Sequence, residues 1–428
     1  MSIADPTVGT DRAPGALAPY RVVDFSTWAW LTGRMLADLG ADVVKVEPPG
    51  GDPGRRLPPF ADDEPGPERS LRWWFFNRGK RGVTLDLDTA DGQSLARRLL
   101  AGADVMIESF DPGHLSERGL GYDDLHRINP RLVVTSVTPF GQTGPYAGFA
   151  GPDLVLSAMG GPMWLTGEPD RPPVRISVPQ YELHGAAEAA VATTIALYHA
   201  AATGEGQHVD VSAQLAAIRT IMNASSFPYL EGVELRRQGR DVAHGHARFR
   251  MLYRCADGHV SVLLAGGALG GPVVTALLRW IGEEEGVPDW LQEVDWVGID
   301  FAELAVTEEG RKFFADVSAL IDAFFAKRTK AELYTEALAR RFLLAPVNTV
   351  ADIRVDEQLA ARGLFVEVEH PERDAPVVYA GPWAKLSGTP LADGRRAPLV
   401  GEHNRDVYVG ELGLRTDELK RLNVLGVV

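Results

Sequence analysis

Short apolar runs alternate with amphipathic stretches through the first third of the chain. Tyr20–Phe25 (YRVVDF), Ala41–Val46, Val83–Leu87, Asp104–Ile107 and Leu132–Thr138 centre on aliphatic residues and predict buried strands. Between them, Thr32–Leu39, Asp91–Ala101 and Leu120–Asn129 have helical spacing, the first closed by Gly40 and the last by Pro130. Strands alternating with helices predict an α/β fold with a mostly parallel sheet covered on both faces. Ligands of such sheets sit outside the carboxyl ends of the strands.

From Gly151 a long helical region is expected. Leu183–Thr203 is alanine-rich and the most apolar stretch, but it contains His184, Glu188 and His199. Charge at that depth is costly in lipid, so a buried helix ending at Gly204 is expected rather than a membrane span. Gly206–Val211 predicts a strand, and Ala213 opens another helix. Leu230–Arg250 turns charged and His-rich and marks a boundary. Tyr253–Leu264 predicts a hairpin turning at Asp257-Gly258, and acidic helices follow from Glu303 to Arg340. Ala345–Val350 is expected to be extended, Pro371–Gly401 a Pro/Gly-rich coil, and Thr416–Leu422 a last helix.

Composition narrows the function. Of 428 residues, 45% are hydrophobic and 24% charged, an ordinary globular balance. Lys and Arg number 43 against 58 Asp and Glu, a net charge of −15. That argues against nucleic acid and anionic membranes as partners. A single cysteine, Cys255, excludes an internal disulfide framework and fits a reducing cytoplasm. Residues 1–19 have no apolar core and read as a flexible leader rather than a signal peptide. Carboxylates and histidines show no metal-ligand spacing, so no metal is expected.

Chemistry is expected at the strand ends. The first strand runs into Ser26-Thr27-Trp28-Ala29-Trp30 with no G-x-G-x-x-G, so a nicotinamide cofactor is not supported. The other loops are Glu47-Pro48-Pro49-Gly50-Gly51-Asp52-Pro53-Gly54-Arg55-Arg56, Asn77-Arg78-Gly79-Lys80-Arg81, Glu108-Ser109-Phe110-Asp111-Pro112-Gly113 and Thr138-Pro139-Phe140-Gly141-Gln142-Thr143-Gly144. They collect Gly, basic and aromatic residues. Such loops either cradle a ligand with phosphates and an aromatic base or merely turn the chain, and composition leaves both open.

The run Val43-Val44-Lys45-Val46-Glu47-Pro48-Pro49-Gly50-Gly51-Asp52-Pro53 resembles the opening signature of the family III CoA-transferases. The likeness continues in order through the loops above, Thr203-Gly204-Glu205-Gly206-Gln207, Ala345-Pro346-Val347-Asn348, Leu386-Ser387-Gly388-Thr389-Pro390 and Leu399-Val400-Gly401-Glu402-His403. The family includes formyl-CoA and carnitine CoA-transferases, with 2-methylacyl-CoA racemases as relatives. The resemblance implies a large Rossmann-like domain and a smaller α/β domain, in dimers whose two chains thread through each other like links. It implies a CoA-binding part over residues 20–234, a small domain over 235–350, and a linker and return to the large domain over 351–428. It also implies transfer of CoA between carboxylic acids in the cytoplasm, through an aspartate that carries first an acyl group and then CoA.

At the nucleophile position this sequence has Glu182, within Pro179-Gln180-Tyr181-Glu182-Leu183-His184-Gly185. Three readings stand. Glu182 is a nucleophile one methylene longer; or it is the base of an acyl-CoA hydrolase, lyase or epimerase; or the chain binds CoA without transfer, as a paralogue or one subunit of a heteromer. The racemase histidine is replaced by Pro152 in Gly151-Pro152-Asp153, which disfavours two-proton racemisation; His184 is a weak substitute. The resemblance assigns CoA contacts to Ala29, Trp30, Phe76, Asn77, Arg78, Gly79, Lys80, Ser109, Phe110, Arg118, Thr138, Pro139, Phe140 and Gly141. Lys80 and Arg118 are the expected phosphate partners, with Arg55 or Arg56 replacing a cation missing at Pro48. Trp28 and Trp30 either stack on the ligand or pack the loop. His244-Gly245-His246-Ala247-Arg248 is too poor in glycine to be the family's lid, and Ala265–Gly271 is expected to turn the chain.

Overall fold

The computed structural model describes residues 14–244, 247–305, 307–392 and 394–428. It divides into two compact units. The larger comprises the chain up to Met163, Arg175–Ser226 and Glu357–Val428; the smaller comprises Trp164–Val174 and Phe227–Asp356.

The larger unit is built on six parallel strands: β1 (Arg21–Asp24), β2 (Asp42–Glu47), β3 (Arg81–Thr84), β4 (Val105–Glu108), β5 (Val133–Thr138) and β6 (His208–Ser212). Their order is β3-β2-β1-β4-β5-β6, and every pair is parallel. The helices are α1 (Trp30–Asp38), α2 (Leu71–Asn77), α3 (Ala90–Ala101), α4 (Tyr122–Ile128), α5 (Asp153–Met159), α6 (Tyr181–Thr203) and α7 (Ala213–Arg219). Alternation along the strands feeds two cores. Val23, Val44, Met106 and Val134 meet Leu95 and Leu99 of α3 on one face. Val22, Val43, Val105 and Val133 meet Leu36 of α1 and Ala196, Leu197 and Ala200 of α6 on the other.

The small side chains of α6 explain its position. Gly185, Ala186, Ala189, Ala190, Thr193, Ala196 and Ala200 recur at helical spacing on the buried face. They admit close approach to the sheet, where Thr193 Oγ1 lies 2.8 Å from Thr135 Oγ1. The helix ends at Gly204, whose φ of 84° suits glycine. The return of the chain seals the other edge. Asn404 brackets Thr84, accepting from its N–H at 2.8 Å and donating to its Oγ1 at 2.7 Å.

The smaller unit has a three-stranded antiparallel sheet of Leu252–Cys255, Gly258–Val262 and Leu344–Pro346. Helices Gly267–Glu284, Glu308–Phe325 and Lys330–Arg340 cover it around Tyr253, Val260, Leu277, Trp280, Ile321, Phe324 and Leu333.

Three local expectations are corrected. Gly267–Gly271 does not turn the chain but forms the first turn of a helix, with Pro272 placed early enough to be tolerated. Thr32–Leu39 is the body of a helix that begins at Trp30. Pro371–Gly401 is not all coil: Val377–Ala380 pairs with Phe365–Val368. The His244–Arg248 stretch crosses residues 245 and 246, which lie outside the described residues.

Candidate active site

The strand order reverses between β1 and β4, so the chain leaves these neighbouring strands in opposite directions and opens a crevice at their carboxyl ends. Two loops meet there. The Thr27 N–H donates to Ser109 Oγ at 2.8 Å, and Trp28 Nε1 donates to the Ser109 carbonyl at 3.2 Å. Beneath them, Asp24 accepts from the Ser26 N–H at 2.9 Å and from Lys80 Nζ at 2.8 Å. Lys80 also donates to the Trp30 carbonyl at 2.9 Å and to Asn77 Oδ1 at 2.8 Å. This buried cluster ties β1 and the start of α1 to the segment that enters β3.

Helix α6 starts at the same end of the sheet. The Gln180 and Tyr181 amides both donate to Asp153 Oδ1 at 2.7 Å, so an acid from α5 caps the helix. Glu182 follows in the first turn, where the helix dipole favours a carboxylate. Arg72 of α2 donates from Nη2 to Glu182 Oε2 at 3.1 Å. Ser70 caps α2, its Oγ accepting the Trp73 N–H at 3.2 Å, and this fixes where Arg72 emerges. The side chains of Arg72 and Glu182 are 26% and 21% exposed, so the pair is reachable but partly desolvated. The Arg72 guanidinium lies 5.9 Å from the ring of Trp30, which packs edge-on against Trp73 at 6.0 Å.

Trp30 is held by a close backbone contact. A Cβ on Gly54 would fall 2.3 Å from the indole edge. Gly54→Ala is therefore expected to displace the indole and destabilise the fold by roughly 1–3 kcal/mol, the usual range for overpacking. Thermal melts and activity assays check this; unchanged melting and unchanged turnover would contradict the packing argument.

Of the residues named from sequence, the geometry brings Trp30 and Glu182 together with Arg72, which was not anticipated. Its signal was present: Arg72 is the only charge in the helix Leu71–Asn77, two residues after a capping serine. Lys80 is corrected as a phosphate partner. It is fully buried, and its three N–H groups already have acceptors. Arg55 is corrected likewise, being buried against Glu47, Glu68 and the Pro398 carbonyl, whereas Arg56 is exposed. Arg118 is directed to Asp88 at 2.6 Å and to the His114 carbonyl. Asn77 is turned inward to Lys80, and Arg78 is buried over the Tyr379 ring beside Gly79. Ala29 and Thr138 are buried, the latter accepting the Gly141 N–H at 3.0 Å. Phe76 lies near Trp30 at 6.5 Å, Phe110 stacks on His114 at 4.5 Å, and Phe140 packs against Tyr146 beyond Pro139. His184 is exposed, about 200° around α6 from Glu182.

The sequence model of CoA-transferase family III matches residues 17–404. The chain belongs to CoA-transferase family III. Among similar proteins is the succinyl-CoA:(R)-benzylsuccinate CoA-transferase subunit BbsE of Thauera aromatica, 38% identical over 96% of this chain and 97% of that one. The formyl-CoA:oxalate CoA-transferase of Streptomyces avermitilis is 34% identical over 92% of this chain and 94% of its own length. A crystal structure of a CaiB/BaiF family protein from Brucella suis superposes with a TM-score of 0.76 at 31% identity, covering 93% of this chain and all of that one.

This family III transferase thus has CoA thioesters as its substrates. No group of three or more potential ligands is placed to hold a metal ion among the described residues. No helix among them is long and apolar enough to cross a membrane.

One further acid of the transferase stands out beside the crevice. Burial pushes the Glu108 carboxyl from its ordinary 4.5 up to about 7, although Ser136 and the Phe110 N–H, at 2.8 Å, favour its charged form. Between those values the folded chain holds a proton that the unfolded chain releases. The stability this supplies is present below the lower value and lost as pH rises through about 7. Glu108→Gln should therefore gain stability over the parent between pH 5 and pH 8, by roughly 3 kcal/mol at the upper end. Melts across that range test it; a difference that stays flat with pH would refute it.

Proposed function

We propose that this transferase moves CoA from an acyl-CoA to a free carboxylic acid through covalent intermediates on Glu182. The observation that carries the reading is a carboxylate in the first turn of α6, at the sheet's carboxyl edge, held by Arg72 next to the β1/β4 crevice. A Glu182 oxygen attacks the thioester carbonyl; a C–O bond forms, the C–S bond breaks, and CoA leaves as thiolate. The thiolate attacks the glutamyl carbonyl and expels the donor acid as its carboxylate. The acceptor carboxylate repeats the two steps in reverse, so no water or cofactor is consumed. Splitting the exchange in this way replaces one hard step with easier ones. In this reading CoA lies along Thr27, Trp28, Ser109, Phe110 and the Pro139–Gly141 turn.

A second reading makes the chain one subunit of a heteromer. The relative BbsE is named as a subunit. The solvent face of α6 and α7 carries Val191, Ile195, Tyr198 and Leu215, all more than half exposed in the single chain. Such a face calls for a covering partner, either a second copy in a linked dimer or a related chain.

The experiment supplies the purified chain with succinyl-CoA and a panel of isotope-labelled acids, and follows labelled acyl-CoA by mass spectrometry. Transfer by the chain alone supports Glu182 as the working nucleophile. No transfer alone, but transfer with a family member carrying aspartate at that position, supports the subunit reading.

A further inference from the structure

Glu182 is charged only in the resting state of the cycle just described. Once acylated or joined to CoA it is a neutral anhydride or thioester, and the negative charge has moved first to the CoA thiolate and then to the departing acid. Arg72 keeps its charge throughout, since guanidinium does not deprotonate in proteins. Among the described residues it is the one cation ion-paired with Glu182. Its carboxylate partner therefore disappears midway through catalysis, while the guanidinium remains partly buried against Trp30. A cation in that position without a counter-ion is costly.

Two donors already lack a protein partner there. Arg72 Nε is buried with no hydrogen bond, and so is Nε1 of Trp30, a side chain only 2% exposed. One guanidinium edge is thus engaged with Glu182 while another N–H stays unspent, beside an indole N–H in the same condition. A carboxylate with two oxygens supplies the acceptors that this arrangement lacks. The Trp30 ring also offers an apolar wall for the rest of an acid.

We propose that Arg72, aided by Trp30 Nε1, is the binding site for the reacting carboxylate of the free acid. It pairs with Glu182 at rest and passes to the substrate acid when Glu182 is held as the CoA thioester. Arg72 thereby selects carboxylic acids over water or alcohols as CoA acceptors. This rests on the covalent reading for its place in the cycle, but its central prediction concerns equilibrium binding and can be measured without turnover.

Glu182→Gln imitates the neutral, acylated side chain and releases Arg72. Titration calorimetry with succinate and with benzoate, at fixed ionic strength, should show at least one acid binding on the order of tenfold tighter to Glu182→Gln than to the parent. Adding Arg72→Gln should abolish that gain. Adding Arg72→Lys, which keeps the cation if the glutamine variant fails to fold, should retain part of it. No gain for either acid in Glu182→Gln, or a gain that survives Arg72→Gln, overturns the proposal. The two readings fail separately. An Arg72-dependent gain without any covalent adduct on the parent's Glu182 leaves the carboxylate site and removes the nucleophile; an adduct without the gain does the reverse.

Discussion

Glu182→Gln should slow CoA exchange on the order of a thousandfold or more, with little change in fold. The amide has nearly the volume of the acid, so the packing of the first turn of α6 is kept, while the charge that holds Arg72 is lost. It offers no anionic oxygen to the thioester, so the loss falls on the chemical step. Glu182→Asp is the sharper case, because it installs the aspartate that the sequence resemblance implies at this position. The shorter side chain withdraws the carboxylate by about 1.5 Å, and misplacement by about 1 Å already costs on the order of a hundredfold. Arg72 Nη2 meets the longer side chain at 3.1 Å, a contact that the shorter one draws away from. Exchange rates of both variants, measured with saturating acyl-CoA, check the prediction. Full activity in Glu182→Gln would remove Glu182 from the chemistry, and an aspartate variant faster than the parent would refute the geometric argument.

Lys80→Met should destabilise the fold by about 3–5 kcal/mol, because it strands a buried carboxylate. Asp24 and Lys80 are both fully buried and 2.8 Å apart. Burial alone would raise the Asp24 carboxyl, but Lys80 and Lys45 outweigh it and hold Asp24 below the usual range. Without Lys80 the balance fails. Asp24→Asn in the same chain should recover most of the loss, since removing both charges removes the penalty. Gly33 sits close by, where a Cβ would fall 2.4 Å from Asp24 Oδ2. Denaturant unfolding measures the effect. A variant that melts normally but binds CoA weakly would instead restore Lys80 to the phosphate site.

The sheet was legible because its signal is local. Five of its strands are apolar runs whose neighbours supply turns and helices, and each is found within a few residues of its expected span. Helix α2 was hidden because Arg72-Trp73-Trp74-Phe75-Phe76 carries bulky residues on every side, with no polar face to set a period. The hairpin at Phe365–Val368 and Val377–Ala380 was hidden by the Pro and Gly around it.

The site divides in the same way. Glu182 was singled out only through the family resemblance, by its place at the start of an alanine-rich stretch ahead of the T-G-E-G-Q turn. The basic loops were misread because sequence does not say where a long side chain points. Asn77-Arg78-Gly79-Lys80-Arg81 looks like a phosphate cradle, yet β3 starts at Arg81, and Lys80 is drawn inward to Asp24. Arg72 is the converse, an unremarked charge whose meaning depends on a residue 110 positions away.

Rapid-quench peptide mass mapping tests the central claim most directly. The chain is mixed with acyl-CoA, stopped in acid and digested. The account predicts a CoA thioester on the peptide containing Glu182, discharged by hydroxylamine and by added free acid. Turnover with that peptide unmodified, or an adduct on a different carboxylate such as Asp153, would contradict it.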